Sequence, residues 1–266
     1  MKLCVLASGS SGNCVFVSSG RTRILVDAGL SARNTANKLE QIGVAPRDIH
    51  AVCLTHEHGD HTVGLAALAR QHGLPVYANA GTAEALANNG RTAALSWKIF
   101  TTGAPFEAGE LRLEPFAVPH DAYEPVGFIV HGKTPDGQPA RIGIVTDMGM
   151  PTELIRQRLR ACHALVLEAN HDETLLRNAV RPWSLKQRIA GRHGHLSNSQ
   201  ALQLLAEIAH PALRTVFLAH ISADCNTPER ALHCVREGLR TQGHGHIAVE
   251  PTFPRQISRL IEIGVP

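Results

Sequence analysis

The opening stretch of this chain, "MKLCVLASGSSGNCVFV", lacks a charged leader feeding a long apolar run, because Gly, Ser and Asn interrupt it after Ala7. It reads as neither a signal peptide nor a membrane span, and a cytoplasmic protein with no membrane contact is expected. The six cysteines, Cys4, Cys14, Cys53, Cys162, Cys225 and Cys234, contain no CxxC pair. Several lie inside apolar runs such as "AVCLT", so reduced, mostly buried thiols are expected in place of a disulfide framework or a zinc knuckle. Charge of one sign is also scarce. A net +3 over 266 residues tolerates an anionic substrate without indicating one. No low-complexity linker, internal repeat or charge block divides the chain. With 44% hydrophobic content, it reads as a single α/β domain over residues 1–266, large enough to bury a sizeable core.

What the chain has in excess is histidine, sixteen in all, and their grouping carries more than their number. The strand-like runs "KLCVLAS", "CVFVSSG" and "RTRILVDAG", with the turn "GSSGN" after the first, open the chain as a meander. Ser31 caps a helix that Gly43 stops. A strand over 50–55 leads into "HEHGDH". The following "TVGLAALARQHG" reads as a helix with Val63, Leu65, Ala66, Leu68 and Ala69 on its apolar face. Residues 94–146 are strand-rich, and beyond them helices alternate with the strands "ALVLEAN" and "RTVFLAH". The order β-then-α occurs twice, which favours two mixed sheets packed face to face with helices outside.

His56, His58, Asp60 and His61 leave their strand in the pattern H-x-H-x-D-H. Alternate residues of extended backbone share a side, so His56 and His58 can offer rings to one cation while the turn aims Asp60 and His61 at a second. Imidazole with carboxylate suits zinc or a similar first-row metal. His120 in "AVPHDA", Asp147 in "GIVTDMG" and His220 in "VFLAHIS" each end an apolar strand, where open α/β architectures assemble sites. Together these residues resemble the metallo-β-lactamase superfamily, with "THEHGDH" as its signature. The resemblance implies a four-layer αβ/βα sandwich. It also implies His56, His58 and His120 on one metal, Asp60, His61 and His220 on the other, and Asp147 bridging them. Asp27, in "ILVDAG", would support the loop from behind.

No export signal and no cysteine at a matching ligand position link the chain to the common zinc β-lactamases. Glu168 in "LVLEANHD" and His195 in "GRHGHLSN" instead resemble the Glu and His pair of phosphodiesterases such as tRNase Z. Expelling an alkoxide needs a proton donor, and a carboxylate-backed imidazole can be one near neutral pH. The competing reading makes His195 a structural residue before a helix capped by Ser197 or Asn198. His171 and Asn198 are assigned substrate contact or support near the site. The blocks "LASGSSGN", "HDAYEPVGF", "EANHD", "GHLSN" and "LAHISADCN" resemble the YycJ/WalJ group from Leu3 to about Arg230, which implies 5′ to 3′ exonuclease action on DNA. Cys225 departs from the asparagine often found there.

"SGSSGN" reads either as a hairpin turn or as an anion nest using Ser10, Ser11 and Asn13; without a following Lys it is no Walker loop. The run bearing Arg177, Arg181, Lys186, Arg188 and Arg192 is either a solvated helical face or a track for a polyanion. Trp183 within it either stacks on a base or packs at a helix start. The expectation is a dinuclear-metal phosphodiester hydrolase, with Asp60, His195 and Glu168 catalytic. Its cofactors are two divalent ions, zinc with manganese as the alternative, and its partner is DNA; no protein partner is indicated. A small-molecule phosphodiesterase, a glyoxalase II-like thioester hydrolase and a non-catalytic metal-binding regulator stand as alternatives.

Overall fold

The computed structural model describes residues 1–87, 92 and 94–264. Strands β1 (Lys2–Ala7), β2 (Cys14–Ser19) and β3 (Thr22–Val26) form the expected antiparallel meander. Then come α1 (Ala32–Gln41), β4 (Ala51–Cys53), α2 (Gly59–Thr62), α3 (Leu65–His72), β5 (Val76–Asn79), α4 (Ala80–Ala87) and β6 (Trp97–Phe100). From β3 to β6 the pairing is parallel.

The second half repeats this plan. Strands β7 (Phe106–Ala108), β8 (Leu111–Ala117), β9 (Val126–Lys133) and β10 (Pro139–Val145) pair antiparallel. They are followed by α5 (Glu153–Leu159), β11 (Ala164–Glu168), α6 (Glu173–Asn178), α7 (Trp183–Ile189), α8 (Asn198–Ile208), β12 (Thr215–Ala219), α9 (Pro228–Thr241) and β13 (Ala248–Pro251). Here β10 to β13 are parallel, and β14 (Ile261–Glu262) returns to pair with β1. The sheets have the orders β14-β1-β2-β3-β4-β5-β6 and β13-β12-β11-β10-β9-β8-β7.

Period-two alternation sorts the apolar side chains into layers. Leu3 and Val5 of β1, Ile142 and Ile144 of β10, Val166 of β11 and Phe217 of β12 meet in one core between the sheets. Their neighbours point outward. Cys4 and Leu6 pack with Leu39 of α1 and Leu65 and Leu68 of α3, whereas Leu165, Leu167, Val216 and Leu218 pack with Ile155, Leu204 and Val235 of α5, α8 and α9. Helix, sheet, sheet, helix is the αβ/βα sandwich.

Ser31 caps α1 by accepting from the Asn34 amide, and Gly43, at φ 71°, follows its end. "TVGLAALARQHG" is corrected to two helices: Val63 falls in the turn between α2 and α3 and is exposed, not on the apolar face. All six cysteines are free, five of them buried. Among the described residues, no helix is long and apolar enough to cross a membrane.

Candidate metal centre

The sandwich delivers its polar residues to one edge, at the carboxyl ends of the strands. Asp27 follows β3, the 56–61 loop follows β4, His120 follows β8, Asp147 follows β10, Glu168 ends β11 and His220 follows β12. Among the described residues, Asp27, Asp147 and His220 are the non-glycine positions with positive φ, at 64°, 55° and 52°. Left-handed backbone costs about 1–3 kcal/mol at such a residue, and it persists where surrounding structure over-determines it. All three strand ends turn sharply to bring a side chain inward.

The imidazoles form a continuous cluster. The His56 and His58 ring centroids are 4.6 Å apart, and each lies 5.1 Å from that of His120. Asp60, His61 and His220 make a neighbouring group, with the Asp60 Oδ2 3.5 Å from His61 Nε2 and 3.3 Å from His220 Nε2. Asp147 touches both groups: its carboxylate is 3.1 Å from His61 Nε2, 3.5 Å from His220 Nε2 and 3.9 Å from His120 Nε2.

Outer partners set which nitrogen faces inward. A carboxylate or carbonyl only accepts, so Nδ1–H of His61 donates to Asp27 (2.8 Å), that of His220 to Glu168 (3.2 Å) and that of His120 to the Gly194 carbonyl (3.1 Å). The Thr55 hydroxyl donates to Asp27 and therefore accepts from His56 Nδ1–H at 3.0 Å. In all four rings Nε2 is thereby the nitrogen that faces the cluster. His56 Nε2 is buried with no hydrogen-bond partner, an arrangement that is costly unless a ligand completes it.

Charge fits the same reading. Burial, followed by the nearby His61, pushes His56 well below the ordinary imidazole value, and burial also lowers His120, so both are neutral donors. Burial opposes charge on His61 and His220 too, yet Asp27 and Asp147 raise His61 well above its usual value, and Asp147, Asp60 and Glu168 raise His220 to about 10. This corner of the cluster favours positive charge. Neutral His56 and His120 beside ionised carboxylates suit a divalent first-row cation, which would take the place of the protons on His61 and His220.

Glu168 is fully buried and accepts from four groups. Met148 N at 2.8 Å and Leu196 N at 3.0 Å donate to one oxygen, and the Nδ1–H groups of His195 (2.7 Å) and His220 donate to the other. Burial alone would raise its pKa, but His195 and these hydrogen bonds lower it to about 2. His195 is likewise opposed by burial and raised above the ordinary imidazole value by Glu168 and Asp147. Its Nδ1 is engaged, its ring lies 5.2 Å from that of His120, and its side chain is 21% exposed. Nε2 is thereby the nitrogen available to a substrate.

The sequence-stretch "SGSSGN" behaves as a tight turn, with Gly9 and Gly12 at φ 130° and 153°. Asn13 braces inward: its amide lies 3.1 Å from Asp60 Oδ2 and its carbonyl oxygen accepts from Gly9 N and Ser8 Oγ. Ser10 and Ser11 stay on the surface. Asn198 is buried, and its amide is engaged with Asn226 in a reciprocal pair. Ser197, with a full capping box, is the cap of α8. His171 is buried beside Ser197 with Nδ1 unpartnered.

Residues that the sequence did not single out brace the site. Ser8 Oγ accepts from His220 N at 2.7 Å, Thr55 joins Asp27 to His56, and Asn170 donates to the His220 carbonyl at 2.8 Å. Glu57 accepts from Tyr123 N at 2.9 Å, tying the loop after β8 to the loop from His56 to His61. Gly29 allows a close approach: a Cβ there would meet the Asp60 carbonyl at 1.7 Å and Asn13 N at 2.5 Å. Gly29→Ala is expected to lower the melting temperature by roughly 5–10 °C and to weaken metal uptake, checked by calorimetry and equilibrium dialysis. An unchanged melt with normal uptake would contradict this packing.

Residues 22–221 match the family described as a beta-lactamase superfamily domain. The chain is 36% identical to the exodeoxyribonuclease YycJ of Bacillus anthracis, over 91% of this chain and 90% of that protein. It belongs to the metallo-β-lactamase superfamily, in the YycJ/WalJ-like group. The exodeoxyribonuclease WalJ of Streptococcus pneumoniae is 34% identical, over 86% of this chain and 85% of its own length. Among solved structures, zinc-bound PqqB from Methylobacterium extorquens shares the fold, with a TM-score of 0.69, 18% identity and coverage of 97% of this chain and all of that one. As a member of the metallo-β-lactamase superfamily, the chain is a metal-dependent hydrolase, and its His and Asp groups have ligand atoms within 4.8 Å of one another.

Proposed function

We propose that this chain is a dinuclear-metal phosphodiesterase that degrades DNA from the 5′ end. The observation that carries the reading is the Glu168–His195 couple, 2.7 Å across, set against the histidine cluster. Hydrolysing a thioester does not require a held acid of this kind, because a thiolate leaves readily, whereas a sugar alkoxide does not. The relatives named exodeoxyribonuclease support the DNA assignment.

In this reading His56, His58 and His120 hold one cation, Asp60, His61 and His220 the other, and Asp147 serves both; Asp27 steadies His61. Zinc is the favoured ion and manganese the alternative. The cations would neutralise phosphoryl oxygens and lower the pKa of the attacking water. Asp60, whose side chain is 23% exposed against 3% for Asp147, can accept a hydrogen bond from that water and orient it. His195 gives its Nε2 proton to the departing oxygen. Glu168 accepts from Nδ1–H, orients the ring and stabilises the doubly protonated form, the one that has an Nε2 proton to give.

The test is a substrate panel on the metal-loaded protein: duplex DNA, bis(p-nitrophenyl) phosphate and a glutathione thioester. Loss of DNA and of the phosphodiester, without thioester turnover, is expected; thioester turnover with intact DNA overturns the proposal. Stripping metal with a chelator should abolish hydrolysis and lower the melting temperature, since a ligand at 100 times its Kd stabilises the folded state by about 2.7 kcal/mol. Readdition of zinc or manganese should restore both. A melt indifferent to chelator would contradict a resident metal.

A further inference from the structure

Helices α6 and α7 form an arm between Glu168 and His195 that carries no buried residue in α7 and only Leu176 in α6. Two ion pairs pin it beside the site. Arg188 reaches Asp121 at 2.5 Å, next to His120, and Arg181 pairs with Asp224, four residues after His220. From Thr174 to Leu196 the chain has no acidic residue. Arg177 and Arg192 are exposed and, among the described residues, pair with no carboxylate.

The chain has two tryptophans and two tyrosines. Tyr77 stacks on Phe106, and Trp97 packs against the core beneath α1 and α3. The other two are left out in solvent, Tyr123 at 76% and Trp183 at 66% exposure. Both belong to segments attached to the metal centre. Tyr123 is held by Glu57, between His56 and His58, while Trp183 begins the helix whose last residue, Ile189, accepts from His195 N at 2.8 Å. Val180, at the tip of the arm, is fully exposed beside Trp183. Exposing two large aromatic rings forfeits burial worth about 1.5–3 kcal/mol for each, which argues for another occupant.

We propose that Tyr123 and Trp183 are stacking platforms for unpaired bases of the strand fed to the metal centre. The inference rests on the DNA-hydrolase reading and adds the form of the substrate end. Planar rings interleaved with uncompensated cations match a strand with an anionic backbone and π-faced bases, and match an acidic or apolar protein surface less well. The seven residues from Trp183 to Ile189 give six rises, about 9 Å of helix. A helix of that length matches roughly three stacked nucleotides at about 3.4 Å each. Tyr123, two residues from the Arg188–Asp121 pair, serves the end of the arm nearer the reacting phosphate.

The test compares KM and kcat on single-stranded DNA with and without abasic sites at the second to fourth nucleotides from the attacked end. Removing the bases should raise the wild-type KM roughly 5- to 100-fold, the range expected for lost base–aromatic stacking. Trp183→Ala and Tyr123→Ala should raise KM on intact DNA by a similar factor with kcat little changed. They should then show a much smaller further rise on abasic DNA, because the ring and base are lost together. Trp183→Phe should recover most of the affinity, and Ile99→Ala, an exposed apolar residue of the far edge strand β6, should behave as wild type. Alanine variants that cleave intact DNA with the wild-type KM overturn the inference alone. A wild-type protein that leaves DNA uncut while hydrolysing another substrate overturns the exonuclease reading and this one with it.

Discussion

Asp147→Asn is expected to lower turnover roughly 10³-fold, equivalent to about 4 kcal/mol of lost transition-state stabilisation, and to reduce bound metal. The substitution isolates charge. Asparagine is among the few residues that tolerate left-handed backbone, so the φ of 55° at this position is not itself disturbed. What is lost is the one carboxylate that contacts His61, His120 and His220 together, at 3.1, 3.9 and 3.5 Å. Burial works against its ionisation, but His220 and His61 hold it well below the usual carboxylate range, so it supplies a full negative charge to the cluster. An amide cannot replace that charge, and two adjacent cations would repel one another without it. Metal content by plasma emission, measured beside kcat, checks the prediction. Full occupancy with turnover within ten-fold of wild type would contradict the bridging position proposed for Asp147.

His195→Ala is expected to cost about 10²–10³-fold in kcat on DNA, within the span general acids contribute, and much less on bis(p-nitrophenyl) phosphate. The leaving alkoxide of a nucleotide needs a proton as the bond breaks; nitrophenolate does not. Glu168→Gln should follow the same leaving-group pattern at smaller size. Met148 N and Leu196 N can still donate to the remaining carbonyl oxygen, but the charge that raises His195 is gone. A Brønsted plot over substituted phenyl phosphodiesters reads the effect directly. Equal losses on good and poor leaving groups would make His195 a structural residue at the start of α8.

The parts of the site legible in the sequence are those where a single polar residue ends an apolar strand. His120, Asp147 and His220 stand out in this way, and "HEHGDH" stands out by density. The Glu168–His195 couple depended on two blocks that lie 27 residues apart in the chain and 2.7 Å apart in space. Ser8, Thr55 and Asn170 were invisible because nothing in their local sequence distinguishes a bracing hydroxyl or amide from one at any strand end. Their roles arise only when β1, β4 and β11 are brought to one edge. For Asn13 and Asn198 the sequence left substrate contact and support near the site both open, and the internal pairing of the two amides appears only in the folded arrangement. The left-handed turns at Asp27, Asp147 and His220 leave no compositional trace.

The fold followed from repeated β-then-α order, and the alternation within β1, β10 and β12 accounts for its layers. Short strands escaped because two to four residues cannot display a period: β5, β7, β13 and β14 are of this kind. The helix assigned through Val63 failed because periodicity alone does not register a break between α2 and α3. That break lets the Gly64 amide reach the Ala28 carbonyl at 2.9 Å and locks the loop from His56 to His61 against the strand end that carries Asp27.

Two-metal hydrolysis of DNA is tested most directly by incubating the metal-loaded protein with a duplex labelled at one 3′ end and sampling the products over time. A ladder of progressively shorter labelled strands, abolished by chelator and by His56→Ala, is the predicted result. Labelled DNA that stays at full length while the same preparation hydrolyses a thioester would contradict it.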